Sequence, residues 1–216
     1  MPYYQPTTYT ARRHISLTSL THQELLLVLS FFAPLWKSYH QHYDLQGNRR
    51  KIPKFTEASD ISLKGEADKL FFALVYLKSN PLQEHHGHLF DMSQGKVSQW
   101  ITMLLPLVRE ALSRMKLLPK RCADELYAVL ACCSSNILFI DATERRVPRS
   151  CDYEVQKDQY SGKKGCHTIK NNLITDSNTQ ILFLSRTCEG RVHDKKIADE
   201  SACYFPEETV LYLDLG

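Results

Sequence analysis

The feature that most constrains this chain is a change of hydrophobic period part-way along it. From Leu17 to about Leu118 apolar residues recur at helical spacing, whereas from about Ser134 they come in short runs suited to strands. Helices first and strands second imply an α+β chain, with an all-α N-terminal domain followed by a mixed sheet. The boundary is expected between Leu118 and Cys133, giving domains of about 1–125 and 126–216. At 43% hydrophobic and 24% charged residues, the composition is that of a globular chain and excludes disorder as the default.

Several function classes fall away at once. No apolar run reaches the roughly 18 residues of a membrane span, and Met1 to Thr10 lacks the basic-then-apolar order of a signal peptide, so a cytoplasmic protein without a membrane partner is expected. Seven cysteines make an odd count with no C-x-x-C pair, which fits neither a disulfide framework nor a zinc ribbon. His85, His86 and His88 with Cys122 lack a second paired ligand cluster and read as surface or packing residues rather than a zinc site. Residues 1–120 carry 15 Lys and Arg against 9 Asp and Glu, while residues 121–216 carry 12 against 15. The basic half is N-terminal, where cations that neutralise phosphates would release counterions from a polyanion.

Within that half, one helix is expected from Leu17 to Tyr39, after Ser16-Leu17-Thr18-Ser19 and kinked at Pro34. Residues 40–65 read as a basic loop or hairpin holding Gly47, Arg49-Arg50-Lys51 and Pro53, or simply as a solvated surface loop. Glu66 to Tyr76 is helical by pattern until Asn80-Pro81, and a further helix runs from about Leu82 to Phe90. Ser93 then caps a helix whose apolar side is Val97, Ile101, Leu104, Leu105 and Val108. Two short helices joined by a tight turn, over about 70–107, make a helix-turn-helix that would present Gln94, Lys96, Ser98 and Gln99 to a DNA major groove. The competing reading is a helical hairpin used only for packing.

In the second half Asn136 to Ile140, Ile169 to Ile174, Ile181 to Ser185 and Val210 to Leu213 are strand candidates, with a helix from Val192 to Tyr204. Strand, strand, strand, helix, strand is the beginning of an incomplete ribonuclease-H-like mixed sheet. Asp141, Asp194 and Asp214 each follow a strand candidate or open the helix. An acid at the end of a buried strand is held rigidly yet exposed, which suits a divalent metal, and converging carboxylates repel unless a cation bridges them. Magnesium wants hard oxygen ligands, and two such ions bind the attacking and leaving oxygens of a phosphodiester, so Asp141 and Asp214 are the catalytic candidates. Taken singly, an Asp after a strand usually only starts a turn.

Taken in order, Ile140-Asp141-Ala142-Thr143-Glu144, Tyr160-Ser161-Gly162-Lys163-Lys164, His167-Thr168-Ile169-Lys170-Asn171, Gly190-x-x-His193-Asp194 and Asp214-Leu215-Gly216 resemble the DDE superfamily endonuclease of insertion-sequence transposases. More narrowly they resemble the group related to the Harbinger elements. There the first acid lies in an aspartate-alanine-threonine-glutamate motif, matched at Asp141, and the second opens a D-x-G motif, matched at Asp214. The resemblance implies a G-x-x-H-D aspartate near the metal, here Asp194, a magnesium or manganese two-metal site on Asp141, Asp194 and Asp214, double-stranded DNA as partner, and a homo-oligomer on that DNA. It covers Asn136 to Gly216, with a weaker match of Leu70 to Leu107 to the preceding helix-turn-helix. The family's catalytic glutamate lies on a helix well beyond the second aspartate, so a transposase cut off before that residue is expected.

Lys157, Lys163, Lys164, His167 and Lys170 would hold the DNA backbone as it enters the metal site, and Arg145, Arg146 and Arg149 would pair with phosphates beside the scissile bond. Solvated surface cations are the alternative for both groups. For the chain as a whole the alternatives are a non-catalytic DNA-binding remnant or repressor, and a metal-dependent phosphatase or ribonuclease on the same sheet, which would not need the helix-turn-helix in front.

Overall fold

The computed structural model describes residues 10–57, 61–132 and 137–213. Asn136, Cys133 and Asp214, all named in the sequence reading, lie outside the described residues. The chain divides into two compact units, Met1–Leu117 and Leu118–Gly216.

The first unit is helical. Helix α1, Ala11–Thr18, is capped by Thr10 and ends at Ser19 in the left-handed region. Helix α2, His22–His42, starts from a capping box in which Thr21 and Glu24 satisfy each other's backbone amides. The single helix expected from Leu17 is therefore two, bent by 52° at the break. Apolar spacing runs across the break, but Ser19 and the Thr21 box supply a stop and a start there. Pro34 sits inside α2, which runs on without interruption and buries Leu25, Val28, Phe32 and Trp36 along one stripe. No single helix among the described residues is long and apolar enough to cross a membrane.

Helix α3, Gly65–Ser79, is buried almost all round from Asp68 to Val75, as a central helix must be. Asn80 in the left-handed conformation ends it before Pro81. Helices α4, Gln83–Leu89, and α5, Gln94–Arg114, complete the unit, and α5 is far longer than a short recognition helix. Trp36 and Trp100 meet in the core at 5.9 Å between ring centroids. Beneath them Lys69, with no exposed side-chain surface, bonds Glu57, Leu63 O and Gly65 O, and its ammonium lies 4.8 Å from the Trp36 ring centre. Glu57 also accepts from Trp36 Nε1 at 2.7 Å.

His86 of α4 is fully buried against Phe72, Tyr76 and Phe90, with Nε2 3.2 Å from Phe72 O. It is a core residue rather than part of a surface histidine cluster. Burial pulls its pKa below 6.5, and the bond to Phe72 O only partly opposes this. The folded state thus binds fewer protons than the unfolded state just below pH 6.5. Stability of this unit is fully present above that pH and falls as pH drops from it toward the lowered folded value. His40 shifts the same way, again mainly by burial, so His86→Gln should remove part of the acid-side loss and leave the rest. Thermal melts followed by tryptophan fluorescence between neutral pH and about pH 5 test this; an unchanged slope in His86→Gln would reject it.

The second unit is a sheet with helices. Its elements are α6 (Ala123–Leu130), β1 (Ile137–Arg146), α7 (Tyr153–Gln159), β2 (Tyr160–Ser161), β3 (Cys166–Asp176), β4 (Ile181–Leu184), β5 (Cys188–Glu189), α8 (Asp194–Ser201) and β6 (Val210–Leu213). Strand β3 pairs antiparallel with β1, β2, β4 and β5, and β6 joins the far side of β1 in parallel after the α8 crossover. Leu126, Leu130, Leu138, Ile174, Leu182 and Phe183 form the core. The turn from β3 to β4 is held by Asp176, whose Oδ1 accepts from the amides of Asn178 and Gln180.

Candidate functional site

Strand β1 does not stop at Ile140. It continues to Arg146 because Ala142 to Arg146 keep their pairing with Asn172 to Thr168 on β3. Asp141 is therefore mid-strand, but it sits where the parallel neighbour runs out: the last described pair of that ladder is Ile140 with Leu213. The sequence follows each of those two residues with an aspartate, Asp141 and Asp214. Asp141 is exposed, and its Oδ1 accepts from the amide of Ala142 at 2.7 Å.

A cleft of about 880 Å³ opens here, with Asp141, Glu144, Lys163, Lys164, Lys170 and Asp194 among its walls. Of the predicted site residues, Asp141, Asp194, Lys163, Lys164 and Lys170 thus come together. Arg145, Arg146, Arg149, Lys157 and His167 do not line it. Arg145 bonds Asn171 Oδ1 across the ladder, and the His167 ring packs edge-on against Tyr160.

The G-x-x-H-D segment is explained residue by residue. Gly190 lies against β3 so closely that a Cβ there would stand 2.1 Å from Thr168 Oγ1, 2.7 Å from Gln159 O and 2.9 Å from Thr168 O. His193 caps α8, its Nδ1 accepting from the amide of Lys195 at 3.2 Å. Asp194 opens the helix, where a carboxylate also suits the positive end of the helix dipole. Lys170 crosses from β3 to bond Asp194 Oδ1 at 3.1 Å and Val192 O at 3.2 Å, while Asn172 Nδ2 donates to Asp194 O. Only 10% of the Lys170 side chain is exposed, so its ammonium is committed to this segment instead of facing solvent.

Glu144 is the residue the sequence reading quoted within a motif without giving it a role. It faces Lys170 across the ladder and accepts from Thr168 Oγ1 at 2.6 Å. Burial works to raise its pKa, but bonds from Ser161 and Thr168 and the charges of Lys170 and Lys164 overcome that and hold it low. Within the cleft, Lys170 thus lies between Glu144, opposite it on the ladder, and Asp194, to which it is bonded. Lys163 and Lys164 stand exposed at the cleft edge, on the turn between β2 and β3, where Gly165 has φ +63°.

In the first unit, α4, a tight turn and α5 follow one another as expected. Gly87 O accepts from the amides of both Phe90 and Met92, Asp91 takes a positive φ, and Ser93 Oγ accepts from the Lys96 amide. A Cβ at Gly87 would meet Met92 O at 2.4 Å, so the turn closes only around glycine. Val97, Trp100 and Leu104 are wholly buried, leaving Gln94 exposed and Lys96, Ser98 and Gln99 half-buried on the other side of α5. Gln94 is tied back to Gln83 of α4.

Residues 140–212 match the DDE superfamily endonuclease family, and residues 62–114 match the helix-turn-helix of DDE superfamily endonuclease. The chain belongs to the DDE superfamily endonucleases. The two matched segments together take in more than half of its 216 residues. Over 81 residues, 38% of this chain, it is 31% identical to a probable transposase for insertion sequence element IS702 from Microchaete diplosiphon. The chain spans about 29% of that relative's length. No solved structure matches it.

Within this DDE superfamily chain the endonuclease match opens one residue before Asp141 and takes in Glu144, Lys170 and the G-x-x-H-D segment. The helix-turn-helix match covers α3, α4 and α5, a wider span than the 70–107 expected. Among the described residues no three His, Cys, Asp or Glu side chains converge to hold a metal ion.

Proposed function

We propose that the first unit binds double-stranded DNA at the ends of a mobile element and that the second carries the chemistry of strand cleavage and transfer, with the chain acting as a homo-oligomer on the DNA. The observation that carries this reading is that Asp141, Glu144 and the Lys170–Asp194 pair line one cleft, edged by Lys163 and Lys164, within the segment that matches the endonuclease. Three antiparallel strands with a fourth parallel to the first, reached through α8, support a ribonuclease-H-like sheet.

The donor chemistry suits a hard cation, since Asp141 and Asp194 offer carboxylate oxygens and, among the described residues, no thiol or thioether lines the cleft. These two do not complete a ligand set, and Asp214, the other acid of the reading, lies outside the described residues. Magnesium or manganese held there would supply an activated water and neutralise charge at the scissile phosphate. The chain's own side chains have separable tasks. Lys163 and Lys164 would bear on the DNA backbone, Lys170 would orient Asp194, and Glu144, opposite Lys170 on the ladder, would help hold Lys170 in place.

Selection of a preferred duplex from a randomised pool, followed by cleavage assays in magnesium or manganese, tests the reading. Cutting that is abolished in Asp141→Ala, with binding retained, is the expected result. Binding without cutting under any metal would favour a DNA-binding remnant or repressor of the element. If no duplex is retained at low salt, where phosphate contacts are strongest, both readings fall.

A further inference from the structure

The loop from Asp44 to Glu57 is neither free nor simply solvated. The amide of Arg50 donates to His42 O at 2.7 Å and that of Lys54 to Gln41 O at 3.0 Å, while Tyr43 bridges to Arg49. Arg50 Nε reaches His40 O and Tyr43 O at the end of α2, and Glu57 is held by Trp36 and Lys69. A loop fixed this firmly nevertheless turns Ile52 and Phe55 outward, 80% and 77% exposed, next to exposed Arg49 and Lys51. Two large apolar side chains held out among cations are characteristic of a contact surface.

Between this loop, the end of α2 and the first turn of α5 lies a cavity of about 160 Å³, room for roughly five waters at ~30 Å³ each. Trp36, Tyr39 and Tyr43 form one wall, and Arg50, Lys54 and Lys96 bring the charge. Asp44 also lines it, but its carboxylate is taken up by the amides of Gln46 and Asn48 and by Asn48 Nδ2. Among the described residues Lys54 and Lys96 have no carboxylate partner. Three cations therefore face one acid in this recess. Lys96 is shared, since it belongs both to this recess and to the turn of α5 expected in the major groove.

We infer that the 44–57 loop is a second DNA contact, in which Arg50, Lys54 and Lys96 seat one backbone phosphodiester flanking the groove that α5 enters, while Ile52 and Phe55 rest on the adjoining edge of the duplex. Charge complementarity and continuity with α5 select duplex DNA as the occupant. The inference rests on the proposed DNA binding by the first unit and extends its footprint beyond the helix-turn-helix.

The test uses the full chain and the duplex selected from the randomised pool, with affinity measured across a salt series. Lys54→Gln removes one of the three cations that seat the phosphodiester, so the slope of log K against log salt should become shallower, by up to about 0.9, with Lys54→Arg keeping the parent slope. Phe55→Ser should shorten the hydroxyl-radical footprint on the flanking side alone. If the parent binds no duplex, the DNA reading itself fails and this inference with it. If the parent binds but Lys54→Gln keeps its slope, this inference alone is overturned. A reduced slope that Lys54→Arg does not restore, with native tryptophan fluorescence in both variants, also overturns it, because a phosphate seat accepts either cation.

Discussion

Glu57→Ala should destabilise the first unit by about 3–5 kcal/mol, the cost of leaving a buried charge without its partner. Lys69 has no exposed side-chain surface, whereas 26% of the Glu57 side chain is exposed, so water can replace the lost carboxylate only from one side. Lys69 would keep Leu63 O and Gly65 O, but two carbonyls cannot neutralise it, and Trp36 Nε1 would lose its acceptor as well. Burial already pulls the Lys69 pKa down against the raising effect of Glu57, and removing Glu57 deepens that shift. Both tryptophans of the chain, Trp36 and Trp100, belong to this unit, so their fluorescence reports its melting separately from the second unit. For a unit of this size the midpoint should fall by about 4 °C for each kcal/mol. The double variant Glu57→Leu with Lys69→Met should recover part of the loss, because it removes the unpaired buried charge while Trp36 Nε1 and the carbonyls of Leu63 and Gly65 still lose their partners. A loss below about 1 kcal/mol in Glu57→Ala would show that the pair contributes little.

Gly190→Ala carries the second large effect, this time on the second unit. Two of the three atoms its Cβ would strike are backbone oxygens, of Gln159 and Thr168, and neither can rotate away as a side chain can. The bond from the Gly190 amide to Thr168 O must lengthen, and with it the path that delivers Val192, His193 and Asp194 to Lys170. Overpacking of this kind costs about 1–3 kcal/mol and sometimes more. Tyrosine fluorescence or amide exchange in β3 should register the loss, while the tryptophan signal of the first unit stays unchanged. If Gly190→Ala melts like the parent, the close approach of this loop to β3 is wrong.

Much of this architecture was legible in the residues. The Ser93 cap and the buried side of α5 followed from a serine placed ahead of a helical apolar repeat, and β1, β3, β4 and β6 followed from short apolar runs, whereas the two-residue strands β2 and β5 carry no such run. The break between α1 and α2 was harder, because apolar spacing continues through Leu17, Leu20 and Leu25 while the decisive signals are a left-handed Ser19 and a reciprocal Thr21–Glu24 cap. The far half of β1 is polar, Thr143 to Arg146, and is a strand only because Asn171 and Lys170 meet it across the ladder. No local pattern encodes that partner.

The site divides along the same line. Asp141 and Asp194 were found by motif, and Lys163 and Lys164 by charge. Lys170 and Glu144 acquire their roles only through contacts 24 residues away in sequence, with Asp194 and Thr168. Lys170, read from its place beside the first acid as a DNA contact, is bonded to Asp194 in the structure.

One strand serves as template for four others, and that has a consequence for how the second unit can move. Residues 166–176 supply backbone partners to β1, β2, β4 and β5, so none of these can detach without unzipping bonds to the same segment. Local fluctuations of a few residues should fall on the segments outside these ladders, the turn Gly162 to Gly165 among them, and amides of β3 should exchange only when the unit opens as a whole. Lys163 and Lys164 therefore sit on a turn outside the ladders, whereas Asp141 and Glu144 belong to β1, so on the proposed reading adaptation to differently shaped duplexes should fall to the lysines.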